Sequence, residues 1–182
     1  MVRERGVSLI DMFVAISIAA LLLSSGLPDF RHFLLKHNTA AETQQILRHL
    51  KKTRELAVFS GREMIFCGVN AENKCVGNNF QRFVIFYDQN GNRKVDADET
   101  VESELKIKYS GKVSLRVGTG SFFRFTHNGE TRPSGSVFLC PANGDPKLFR
   151  RVSTNFTGRP YIARPGPDGI VVRADEDPID CG

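Results

Sequence analysis

The chain begins Met1-Val2-Arg3-Glu4-Arg5-Gly6, continues Val7-Ser8-Leu9-Ile10-Asp11, and then runs through apolar residues to Gly26-Leu27-Pro28. A secretory signal peptide places small residues after its apolar core, where it is cut, and the apolar segment is lost. Here the small residue, Gly6, stands before the core. The order therefore predicts a short charged leader, residues 1–6, cut between Gly6 and Val7, and an apolar helix that stays with the mature chain. The stretch from Leu9 to Leu27 is close to the roughly 20 residues that span a bilayer. Asp11 lies near its start, and an ionised carboxylate in lipid costs roughly 2.5–3.5 kcal/mol, so it needs a partner. Cleavage after Gly6 creates one, the α-amino group of Val7, in the same chain or in a neighbour packed alongside. Ser8 and Asp11 also suit a capping-box-like pair at the helix start, and the two roles can coexist.

These residues resemble the class III signal of type IV pilins and pseudopilins, which a prepilin peptidase cuts after glycine before methylating the new N-terminus. The resemblance covers Gly6 to Phe30 and implies N-methylation of Val7. It departs at two positions: the family usually has phenylalanine where Val7 stands and glutamate where Asp11 stands. Aspartate keeps the charge and shortens its reach by one methylene. Pro28 matches the family's early proline, which removes a helix hydrogen bond and bends or locally melts the helix in a fibre.

Beyond the anchor there is room for one core of ordinary size in 182 residues. The formal charge is +5, and its placement matters more than its size. Lys147, Arg150, Arg151, Arg159, Arg164 and Arg173 face only Asp145 and Asp168 over the same stretch. Acidic residues gather around Asp88 to Glu104 and again at Asp175, Glu176, Asp177 and Asp180. An outward-facing head puts the four cysteines in an oxidising compartment. Of the three pairings they allow, Cys67–Cys75, closing a hairpin, and Cys140–Cys181, tying the tail to a late strand, are preferred. A zinc site is the rival, but the spacings do not form C-x-x-C knuckles and no histidine is near.

Past Pro28 the helix is expected to continue to about Ser60 and stop at Gly61. Ile46, Leu47, Leu50, Ala57 and Val58 recur at helical spacing, and this stripe should bury itself against a sheet. Arg48, Lys51, Lys52 and Arg54 on the other face read as a solvated surface. From Met64 the texture changes to short β-like runs: 62–67, 80–87, 101–109, 112–117, 122–126, 136–140, 149–155, and a last pair near Tyr161 and 170–173. No helices alternate with them, so the sheets should be antiparallel. The fourteen phenylalanines read as core. Pro165 to Gly169 is a turn. The expected architecture is α+β: residues 7–28 the membrane half of a long helix, 29–61 its amphipathic half, and 62–182 a β-rich head.

One helix before a β-rich head resembles the GspH/FimT family of minor pilins and pseudopilins. Phe83-Val84-Ile85-Phe86-Tyr87-Asp88 with Asn90-Gly91-Asn92, and Thr157-Gly158-Arg159, look like head segments of that family. In its competence-linked members a glycine-arginine segment forms part of a DNA-binding surface, and Gly158 and Arg159 match it. The family's second arginine is replaced here by Tyr161. Arg151, Gly158, Arg159, Tyr161 and Arg164 are the DNA-binding candidates, with arginines to meet phosphates and the tyrosine to stack on a base. Asp88, Asn90, Asn92, Asp96 and Glu99 match the spacing of a calcium loop. Arg93 occupies the position where that loop turns on glycine, so an Asn-Gly hairpin turn with an acidic rim is the preferred reading, and neither a cofactor nor a metal is assigned.

An enzyme is not expected. His32, His37 and His49 lie on the helix, His127 lies in a turn, and no nucleophile elbow or phosphate loop occurs. The sequon Asn155-Phe156-Thr157 carries little weight. The resemblance implies a minor type IV pilin held in the inner membrane with its head in the periplasm and assembled with major and minor pilins. The alternatives are a type II secretion pseudopilin, assembled with pseudopilins, and a DNA receptor for transformation.

Overall fold

The computed structural model describes residues 8–118 and 120–172, without the side chains of residues 23–29. The described residues up to His37 form one compact unit and those from Asn38 onward another. Helix α1, Leu9–Ser60, supplies residues to both. It stops where the sequence predicts: Gly61 takes φ +66°, the left-handed conformation that glycine enters without a Cβ penalty. In the first unit the Phe33 and His37 rings, one turn apart, meet at a tilt of 51° with 4.2 Å between centroids.

In the second unit nine strands follow the helix: β1 Met64–Val69, β2 Cys75–Val76, β3 Arg82–Phe86, β4 Val101–Lys106, β5 Lys112–Val117, β6 Phe122–Phe125, β7 Gly135–Cys140, β8 Arg150–Thr154 and β9 Pro160–Ile162. All named pairings are antiparallel. The first sheet runs β2-β1-β3-β4 with β6 also pairing β1, and the second runs β5-β7-β8-β9. Of the last predicted pair, β9 forms around Tyr161, while Val172 makes an isolated bridge and Arg173 lies outside the described residues. Strand β2 was not foreseen, since two residues carry no readable period. Strand β4 ends at Lys106 rather than Tyr109, because Lys106 already pairs with Arg82, the first residue of β3.

A single core joins the helix to both sheets. Ile46, Leu50 and Ala57 of α1 meet Phe66, Phe83, Phe123 and Phe125 of the first sheet and Leu115, Val137, Leu139 and Val152 of the second. Phe66 and Phe83 stack with centroids 4.8 Å apart, and Phe80 meets Phe83 edge-on at the same distance. Alternation in the strands sends Ile65, Cys67, Val84 and Phe86 to the opposite face of the first sheet, where they form a second cluster. The buried stripe of α1 differs from the predicted one. Val58 is 51% exposed, while Thr39, Thr43 and Thr53 are buried. The Thr43 and Thr53 hydroxyls reach the core by donating to the carbonyls one turn back, at 2.6 and 2.7 Å.

Phe123 has no exposed surface and lies between Phe66 and Phe125. Phe123→Ala should therefore cost about 3–5 kcal/mol of stability, measured as a shift in the urea unfolding midpoint. Phe156→Ala, at a 62% exposed position, should cost far less, and equal losses would contradict this core.

Candidate functional site

The helix start is built as a cap. The Ser8 N–H donates to Asp11 Oδ2 at 3.1 Å and the Ile10 N–H donates to Ser8 Oγ at 3.3 Å. Two backbone donors left open by helix geometry are thus satisfied reciprocally. Asp11 is exposed, and its position in the first turn complements the helix dipole. Gly6 and Val7 lie outside the described residues, and the side chain of Pro28 is among those not described. Along the following turns the apolar side chains face outward: Leu9, Ile10, Phe13 and Leu21 are each about 70% or more exposed at 76%, 72%, 69% and 71%. Among the described residues no helix is long and apolar enough to cross a membrane. The described side chains of the apolar run end at Leu22.

The outer face of the first sheet is closed by the segment after β3. A disulfide joins Cys67 to Cys75, with 5.5 Å between their Cα atoms. Asp88 accepts from the Gly91 and Arg93 N–H groups at 2.8 and 3.0 Å. Asp96 Oδ2 accepts from the side-chain amides of Asn90 and Asn92 at 2.9 and 2.6 Å. These bonds hold the Asp96 carboxyl below its ordinary value. Glu99, buried, accepts from the Gln89 and Asp96 N–H groups. In this arrangement these side chains bind the loop's own donors. Arg93 takes φ +60° at the position where glycine was expected, and its guanidinium lies 5.0 Å from the Phe122 ring centroid. Val95 packs onto the second cluster.

The glycine-arginine segment is a tight turn. The Asn155 Oδ1 accepts from the Arg159 N–H and from the Thr157 hydroxyl. A Cβ built on Gly158 would stand 1.7 Å from the Gly129 carbonyl oxygen. Glycine is needed there for backbone packing, a reason that the sequence does not reveal because its cause lies 29 residues earlier. Arg159 and Arg164 are exposed and Tyr161 is 47% exposed. Arg151, by contrast, is on β8 with Nε and Nη1 buried and unpartnered, so the five candidates do not form one exposed patch. Cys140 is disulfide-bonded, and its predicted partner Cys181 lies outside the described residues.

Glu42 was missed as a feature. It is buried on α1 beside the segment linking β4 to β5, and burial pushes its carboxyl up, partly offset by the backbone N–H and charge of Lys108. Its Oε1 has no hydrogen-bond partner. One turn away the Thr39 hydroxyl lies 3.3 Å from the Tyr109 hydroxyl, and burial raises Tyr109 as well. A charged residue at helical spacing within an apolar stripe was the available signal.

The family model described as type II transport protein GspH matches residues 42–158. That span covers the helical stripe and strands β1 to β8, and it leaves residues 1–41 and 159–182 outside. Among solved structures the chain is similar to the type IV minor pilin FimU of Pseudomonas aeruginosa strain PAO1. The identity is 14% and the TM-score 0.50, over 69% of this chain and 88% of that one. It is also similar to the minor pseudopilin EpsH of the type 2 secretion system of Vibrio cholerae. There the identity is 14% and the TM-score 0.49, over 69% of this chain and 95% of that one. The likeness to FimU shows the fold, a helix packed with antiparallel sheets. No curated protein matches the sequence.

Gly158→Ala should lower the unfolding midpoint strongly, because it adds a methyl against Gly129 at φ +69°. Gly169→Ala, with φ +79° and open space around it, should lose only the left-handed penalty of about 1–2 kcal/mol; equal losses would contradict the packing account. Glu42 should make stability fall as pH rises above its ordinary pKa of 4.5, because the folded chain then holds more protons than the unfolded one. Glu42→Gln should flatten that part of the stability profile, and an unaltered slope would exclude Glu42 as its source.

Proposed function

The chain belongs to the GspH/FimT family of pilin-like proteins, and from that premise we propose that it is a minor type IV pilin. In this reading it is a filament subunit anchored in the inner membrane before assembly, with its head in the periplasm, and it supports pilus assembly and motility. The supporting observation is the outward-facing apolar surface of α1 between Leu9 and Leu22. Burying one such side chain stabilises by about 1.5–3 kcal/mol, so several of them together favour lipid or neighbouring helices strongly over water. A prepilin peptidase cuts after Gly6 and methylates Val7. The Asp11 carboxylate, already accepting the Ser8 N–H with one oxygen, turns the other toward the ammonium of a neighbouring Val7. That pairing offsets the cost of a charge among apolar helices and sets the stagger between subunits.

The description of the matching family as type II transport favours a second setting, a secretion pseudopilus built by the same steps. A third reading, DNA capture, is favoured by one observation: Arg159 and Arg164 are exposed on either side of the exposed Tyr161. Two arginines and a ring suit weak, sequence-independent and salt-sensitive binding.

Gly6→Ala should leave the leader in place, read as an undiminished mass of the membrane-resident chain; normal removal would overturn the class III reading. Asp11→Ala should abolish recovery of the protein in sheared fibres while Asp11→Glu retains it, and wild-type recovery of Asp11→Ala would exclude the charge pairing. If the head binds DNA, replacing Arg159 and Arg164 by alanine should lower the slope of log K against log salt by roughly 2. An unchanged slope would remove that segment from any nucleic-acid contact.

A further inference from the structure

The linker between β4 and β5, residues 107–111, joins the strand that ends the order of the first sheet to the strand that begins the order of the second. It is held at both ends. The Ile107 N–H donates to the Gln81 carbonyl at 2.9 Å. At Gly111 a Cβ would stand 2.0 Å from the Cys140 carbonyl oxygen and 2.6 Å from the Tyr109 ring, so the backbone passes there with no room for a side chain. Between these ends Ile107 and Tyr109 pack on the main core, and the middle of the linker rests on α1.

That resting place is polar. Thr39 is fully buried, and its hydroxyl lies 3.3 Å from the Tyr109 hydroxyl. One turn along the helix Glu42 is 5% exposed, and its Oε1 has no hydrogen-bond partner. The groups that face this carboxyl are the backbone N–H and ammonium of Lys108 and the hydroxyl of Tyr109, and Arg150 of β8 faces Tyr109 in turn. On its own helix the positions one turn away are Asn38, Thr39, Gln45 and Ile46, none of them charged. Lys108 is itself exposed. An ionised carboxylate so far from water, with one oxygen unanswered, is costly, and a protonated one is much less so. Lifting the linker admits water to the carboxyl and removes that cost. The seated linker therefore holds the proton more firmly than the lifted one, so seating is favoured at low pH and weakens as pH rises.

We propose that Glu42 and residues 107–111 form an acid-tightened latch: with Glu42 protonated, Lys108 and Tyr109 stay seated on α1, and with Glu42 ionised they lift from it. The latch lies where the helix and one strand of each sheet meet, so this corner of the head responds to pH while the core beneath it does not.

Hydroxyl-radical footprinting of the full chain in detergent, read by mass spectrometry, tests this. Oxidation of Tyr109 relative to the exposed Tyr161 should rise several-fold as pH is raised from below 4.5, the ordinary carboxyl value, to neutral. Phe123, with no exposed surface, should stay unreactive. In Glu42→Gln, which keeps the shape and cannot ionise, the ratio should stay low throughout. A flat ratio in the parent chain, an equal rise in the variant or a parallel rise at Phe123 would overturn the latch. A second measurement needs no variant: the carboxyl carbon of Glu42 and the ring resonances of Tyr109 are followed by NMR through a pH titration of the parent chain. The two should move with one midpoint above 4.5, and separate midpoints, or a shared one no higher than that value, would overturn the coupling.

Discussion

Packing of Ile46, Leu50 and Ala57 against the phenylalanines of the first sheet and the aliphatic residues of the second is the contact on which the head depends. Each sheet buries one face against the helix and the other sheet, so the contact holds both together. The helix in turn exposes apolar surface over its first described turns, where propensity alone gives no cover. The same element thus has two kinds of surface: one stretch completes a core within the chain, and another carries exposed apolar side chains.

Much of this architecture was legible because it rests on local patterns. The stop at Gly61, the strand from Lys112 to Val117 and the antiparallel order follow from glycine conformation, alternation and the lack of intervening helices. The Cys67–Cys75 bond followed from spacing in a turn-rich segment. What escaped was set by distant partners. Threonines entered the buried stripe in place of Val58 because their hydroxyls bond within the helix, and Gly158 is needed because Gly129 lies against it. The loop from Asp88 to Glu99 was readable as a turn, but its role in covering the second cluster through Val95 and Arg93 was not.

The site candidates divide along the same line. Asp11 and Ser8 were legible as a helix-start pair because capping acts over three residues. The basic segment was legible only as composition, and the fold separates it. Arg159 and Arg164 are exposed, whereas Arg151 is turned onto a sheet face with buried nitrogens. Electrostatic polarity in a sequence therefore does not by itself mark one continuous surface.

The central claim is that the chain is a processed filament subunit. In-cell crosslinking of the membrane-resident protein, with mass spectrometry of its N-terminus and of the chains joined to it, tests this most directly. The account predicts a methylated Val7 at the N-terminus and pilins among the partners, with pseudopilins instead in the secretion setting. A retained Met1 and no pilin-like partner would contradict it.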